Sequence, residues 1–130
     1  MLPGFGTQSQ KLIDWKDYDP VEIAEAVESD RPVLIKFTAD WCTSCVVVER
    51  LVFKRKDVAE LIKQKNVLAV KADTTLAGTK ATLDLANVYN EPGVPVIVLH
   101  LPDGKQTHLR GLFGKNELLK LLNELPDKNN

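Results

Sequence analysis

The chain has 130 residues, 44% of them hydrophobic and 27% charged, with a formal net charge of -1. That suits one domain with one real core, and bulk charge gives neither nucleic acid nor an anionic membrane surface anything to hold. No apolar run approaches the roughly 20 residues that span a bilayer.

Residues 1–10, rich in Gly, Gln and Ser, are read as a flexible leader. Met1 to Thr7 carries no basic or apolar stretch of the signal-peptide kind. The chain is therefore read either as cytosolic or as a piece of a longer one with its own targeting. Lys11 to Trp15 is expected to form a short edge strand. Asp19-Pro20 marks a helix start, with Asp19 as N-cap and Pro20 in the first position; Val21, Ile23, Ala24, Ala26 and Val27 give that helix its apolar face up to Ser29-Asp30. Val33 to Thr38 is a buried strand and leads into a helix through Cys42 and Cys45. Val46-Val47-Val48 in that helix is a β-branched run that helices tolerate mainly when buried. Lys54 to Asp57 breaks it, and the basic Lys54 to Lys56 reads as a solvated loop. Val58 to Lys65 adds an amphipathic turn or two.

Val67 to Ala72 is the next strand and Thr79 to Tyr89 the next helix. Asn90-Glu91-Pro92-Gly93 is a turn. A strand at Val94 to Leu101, a hairpin turn at Pro102 to Lys105 and a strand at Gln106 to Gly111 follow. A leucine-rich helix over Asn116 to Leu125 closes the domain, and residues 126–130 are expected to fray. The order β-α-β-α-β-α-β-β-α implies parallel pairing in the first half and a terminal hairpin, hence a mixed sheet in an α/β fold.

Cys42 and Cys45 are the only cysteines. One pair cannot make the multi-bridge framework of a small secreted domain. Three residues apart at a helix start, they lie on nearly one face and can close a disulfide across one turn. Cys42 sits nearer the helix N-terminus, where the macrodipole favours a thiolate, the attacking species in thiol–disulfide exchange. It is the expected nucleophile, more exposed than Cys45, which waits one turn deeper to resolve the mixed disulfide. Two other readings stand beside this one. A zinc half-site would need more ligands, and the remaining soft donors, His100 and His108, occupy separate segments and read as ordinary strand residues. A purely structural disulfide would close a tiny loop and remove little chain entropy.

Glu49 lies seven residues after Cys42 and four after Cys45, on nearly the same face, where a carboxylate can accept and return the Cys45 proton; equally it can be a solvated helix charge. Lys36 lies inside an apolar strand. It can stabilise a thiolate, hold Glu49 ionised, or snorkel from a strand edge. Trp41 reads as a wall beside the sulfurs or as plain core.

A strand, Trp41-Cys42-x-x-Cys45, a helix and the late Gly93-Val94-Pro95 together resemble the thioredoxin superfamily, over about Lys11 to Leu125. Ala39-Asp40-Trp41-Cys42, Glu49, Val70-Lys71-Ala72-Asp73-x-Thr75 and Asn90-x-Pro92-Gly93-Val94-Pro95 with Asp103-Gly104 are most similar to the C-terminal thioredoxin-like domains of the membrane reductase DsbD. The resemblance implies a single thioredoxin-like domain over 11–125, with a central mixed sheet and helices on both faces. It implies a redox-active Cys42–Cys45 disulfide with no further cofactor or metal, and a cis bond at Pro95 that leaves the Val94 backbone to pair with substrate. The partners it implies are thiol or disulfide proteins, among them a membrane-embedded electron donor domain, met by a monomer in an extracytoplasmic setting. The sequence departs from the pattern in three places: Lys36 where an acid is usual, Val46 where a lysine is usual, and Thr43-Ser44 between the cysteines. Three functions follow: a DsbD-like reductase domain, a stand-alone cytoplasmic thioredoxin-like reductant, and a metal- or protein-binding module on the same fold.

Overall fold

Residues 12–127 are described by a computed structural model. Its elements in chain order are β1 (Lys16–Asp17), α1 (Pro20–Glu28), β2 (Val33–Thr38), α2 (Thr43–Val48), a π-helical turn (Glu49–Phe53), α3 (Lys56–Gln64), β3 (Leu68–Asp73), α4 (Lys80–Asn87), β4 (Val96–His100), β5 (Gln106–Arg110) and α5 (Lys115–Asn123). The strands form one sheet in the order β1-β3-β2-β4-β5. β3 runs parallel to both β1 and β2, while β2–β4 and β4–β5 are antiparallel, so the sheet is mixed.

The alternation of β2 divides the core. Leu34 points to one face, where Ile97 and Leu99 of β4 meet Val52, Phe53, Val58, Leu118 and Leu122. Val33, Ile35 and Phe37 point to the other, against Ile23, Ala26, Leu85 and Tyr89. A strand with period 2 thus supplies two apolar layers, and helices cover both. Among the described residues no helix is long and apolar enough to cross a membrane.

Local chemistry explains the element starts. Asp19 caps α1 by accepting from the Val21 N–H at 3.0 Å, with Pro20 in the first position. Thr79 caps α4 by accepting from the Thr82 N–H at 3.3 Å.

Several expectations are corrected. The edge strand is Lys16–Asp17, past the predicted span of 11–15; Lys11 lies outside the described residues. Ile13 is buried in the core and Trp15 packs edge-on against Phe53, with ring centroids 5.4 Å apart. Burial of these side chains claims the stretch that alternation assigned to a ladder. Of the valine run only Val48 is buried; Val46 and Val47 are 50% and 37% exposed. The helix also does not end at its α-helical part: the Lys54 N–H reaches the Glu49 carbonyl, a five-residue step that widens the turn. β4 begins at Val96, two residues after the predicted start. The leader, 1–10, lies outside the described residues, as do 128–130. Asp127 is tied to Lys65 by an ion pair of 2.8 Å.

Candidate redox site

β2 delivers the chain to the site at its C-terminal end. Ala39 accepts from the Cys42 N–H at 3.2 Å, and Cys42 becomes the N-cap of α2. The Cys45 N–H donates to Cys42 Sγ at 3.1 Å. The two residues form a disulfide with Cα atoms 5.2 Å apart. On reduction, a thiolate at Cys42 meets that same N–H and the positive end of the helix. The expected difference in exposure is absent: Cys42 is 7% exposed and Cys45 5%. Ala39 and Val94 pack around both sulfurs, so the cap position, rather than access, distinguishes the two cysteines.

The Val94–Pro95 peptide is cis. The Pro95 carbonyl accepts from the Gly111 N–H at 3.0 Å, which fastens this segment to the end of β5. Trp41 is 65% exposed and is not core packing. Its indole N–H donates to the Thr75 carbonyl at 3.1 Å, while the Asp40 N–H donates to the Thr75 hydroxyl at 2.9 Å. Asp73 in turn accepts from the Thr75 N–H at 2.9 Å. The Thr75 hydroxyl and amide bonds hold the Asp73 carboxyl below its usual range. The loop after β3 therefore braces the loop that enters the cysteines.

Beneath the helix lies a buried charge. Lys36 is 7% exposed on the central strand, which rules out snorkelling from an edge. Its ammonium donates to Glu49 Oε1 and lies 4.1 Å from the Trp15 ring centroid and 5.1 Å from that of Phe53. Burial pushes the Lys36 pKa down; the Glu49 hydrogen bond and charge oppose this only partly, and Lys71 and Lys54 add to the lowering. Glu49 is also 3.8 Å from Lys54. The π turn brings Glu49 and Phe53 to the same lysine. Glu49 stands four residues from Cys45, a helical neighbour.

A second polar group was not legible in the sequence. Glu91 is buried at 3% exposure. Its carboxylate accepts from Arg110 Nε at 2.8 Å, Arg110 Nη2 at 2.7 Å and His108 Nδ1 at 2.5 Å. Burial pushes this carboxyl up, yet the hydrogen bonds and charges of Arg110 and His108 outweigh it and leave it below the ordinary range. His100, to which no role is assigned, shares a hydrogen bond of 2.9 Å with the Tyr89 hydroxyl. The one local signal was that His108 and Arg110 alternate, and so project from one face of β5. Among the described residues, no three His, Cys, Asp or Glu side chains are grouped to hold a metal.

A family profile for thioredoxin-like proteins matches residues 14–102. A thiol:disulfide interchange protein DsbD 2 of Pseudomonas aeruginosa is 33% identical over 94 residues, covering 72% of this chain and 16% of that protein. The chain thus spans about a sixth of that relative's length. Among solved structures, a thioredoxin from Thermus thermophilus superposes with a TM-score of 0.68 at 25% identity, over 86% of this chain and 85% of its own. The oxidised DsbD C-terminal domain of Neisseria meningitidis superposes with a TM-score of 0.62 at 22% identity, over 83% and 97%, and supports the fold.

Proposed function

The chain belongs to the thioredoxin-like family, and we propose that it is a thiol–disulfide oxidoreductase domain that reduces protein disulfides through Cys42 and Cys45. The carrying observation is the Cys42–Cys45 disulfide at a helix start, with the Cys45 N–H on Cys42 Sγ and Val94 packed against the pair. In the reduced protein the Cys42 thiolate attacks one sulfur of a partner disulfide. A mixed disulfide forms and the partner's other sulfur leaves as a thiolate. Cys45 then loses its proton and attacks Cys42. The internal disulfide re-forms and the partner departs as a dithiol, having gained two electrons. A donor dithiol reverses the steps to recharge the domain.

Glu49 is the proposed acceptor of the Cys45 proton, being its helical neighbour. Lys36 keeps Glu49 ionised and places positive charge below the dithiol, which favours thiolate and so raises the reduction potential. Trp41 forms a wall at the mouth. Val94 and Pro95 offer an edge to an extended substrate segment, a short β-augmentation. Exposed Leu76 follows the residue that holds Trp41, and exposed Leu112 follows the residue that holds Pro95, so apolar surface flanks the cysteines on two sides.

The context we propose is that of a DsbD-like relay. A monomeric extracytoplasmic domain takes electrons from a membrane-embedded donor and passes them to another thiol domain. The similarity to DsbD proteins supports it. A second reading, a stand-alone cytoplasmic reductant, is favoured by the near-complete superposition on a thioredoxin. Rapid recharging by thioredoxin reductase and NADPH selects that reading, whereas recharging only by a dithiol membrane domain selects the relay.

Cys45→Ala tests the exchange itself. It is expected to trap a covalent adduct with insulin that thiol reductant releases, and Cys42→Ala to trap none. Absence of any adduct across a range of glutathione ratios overturns the proposal. Lys36→Met should lower the reduction potential measured against glutathione; an unchanged value retires the role of Lys36 and leaves the exchange chemistry standing.

A further inference from the structure

We infer that Glu91, clamped by Arg110 and His108, is a positioning residue that fixes the Val94 edge beside the disulfide and so sets how well an extended polypeptide docks. The inference deepens the proposed oxidoreductase reading and rests on it.

The backbone turns inward just before Glu91. Asn90 takes the left-handed conformation at φ 57°, and the Glu91 N–H donates to the Leu85 carbonyl at 3.0 Å. This sends the Glu91 side chain inside, where it is 2% exposed. Both carboxylate oxygens are engaged from β5: Oε1 by Arg110 Nε, Oε2 by Arg110 Nη2 and His108 Nδ1. His108 is itself oriented by Gln106, whose side-chain oxygen lies 3.0 Å from Nε2. Three residues after Glu91, Val94 packs on the cysteine cluster, and the next carbonyl, that of Pro95, is held by Gly111. The segment 91–95 is therefore pinned at both ends to β5 and its exit, with exposed Pro92 and Gly93 between.

An apolar side chain at 91 would bury comparable surface, but it would constrain only distance. A two-pronged guanidinium–carboxylate contact fixes direction as well. Buried paired charges contribute specificity of arrangement more than stability. The arrangement fixed here is that of the one segment touching both the sulfurs and the proposed substrate edge.

Steady-state reduction of insulin, a protein disulfide, and of 5,5′-dithiobis(2-nitrobenzoate), a small one, separates the possibilities. Glu91→Leu should raise KM for insulin by about tenfold to hundredfold, the range a displacement of about 1 Å produces. Its kcat, its rate on the small disulfide and its reduction potential should match the parent. Arg110→Lys, which keeps the charge but not the fork, should fall between. Equal losses on both substrates, a shifted potential, or an unchanged KM in folded variants each overturns the inference. If the parent reduces neither substrate, the oxidoreductase reading fails instead. Amide exchange then decides the clamp: faster exchange at Gly93 and Val94 in Glu91→Leu sustains it, and unchanged exchange removes it.

Discussion

Two buried ion pairs flank the disulfide, and they are built on opposite plans. Below the helix, Lys36 meets one carboxylate oxygen of Glu49 and is otherwise walled by Trp15 and Phe53. Beside the Val94 segment, Glu91 is met by three nitrogens from two cationic side chains. Burial wins at Lys36, whose pKa falls, and loses at Glu91, whose pKa also falls because its donors outweigh desolvation. One lowering discharges a lysine more easily; the other keeps a carboxylate charged. The first pair is an adjustable charge and the second a fixed strut. The same buried-charge physics serves tuning or geometry according to how many donors satisfy the ion.

The largest expected effect breaks the first pair. Glu49→Ala leaves the ammonium without its partner and should cost about 3 kcal/mol at neutral pH, the lower end for a broken buried pair. The loss should shrink with rising pH as Lys36 discharges. Urea unfolding at pH 7 and 9.5 measures it, and a loss that does not depend on pH denies that Lys36 titrates early. Lys36→Met should go the other way, gaining about 1 kcal/mol at neutral pH as an apolar chain replaces a poorly satisfied ion. The sign follows from linkage. A lysine pKa lowered on folding means that the unfolded chain binds more protons between the lowered value and 10.5, so the parent gains stability as pH rises through that window. The variant lacks this gain, and its advantage should vanish towards pH 10.5. A neutral-pH loss in Lys36→Met would erase the contrast between the two pairs.

Smaller effects sharpen it. Glu91→Leu should stay within about 1 kcal/mol of the parent at neutral pH, since apolar replacements of buried pairs are often neutral. The lowered Glu91 pKa contributes stability above its ordinary 4.5 that is lost as pH falls. The variant should therefore gain on the parent during acid unfolding; parallel acid curves would show that Glu91 is not held ionised. Lys54→Ala, at the rim and 3.8 Å from Glu49, should change stability by less than about 0.5 kcal/mol.

What the sequence disclosed follows this division. Cys42, Cys45 and Glu49 lie on one continuous stretch, where helical spacing alone relates them, and Lys36 stands out because a cation interrupts an apolar strand. The cage around it was hidden, because Trp15 reaches Phe53 across 38 positions in a stretch that reads as an edge strand. The Glu91 strut was hidden for a similar reason. Asn90-Glu91-Pro92-Gly93 reads as a solvated turn, and nothing within it shows that the chain turns one acid inward to meet residues 17 and 19 positions later. The exposed Val46 and Val47 show the reverse case. Their β-branching argues for burial, yet only Val48 faces the core. The π turn left no mark in the local spacing, because it depends on which side chains the sheet demands beneath it.

That widened turn makes the helix a two-phase object. Ahead of it, side chains follow one angular count and present the sulfurs; behind it, the count is offset by one residue, which delivers Phe53 below Lys36. Losing a single residue within 49–53 would restore one uniform winding and swing everything downstream by about 100°. The thiols would keep their station while the lysine lost its aromatic floor. Chain-length variation in this short stretch can thus retune the electron-transfer chemistry without replacing any side chain that meets a substrate.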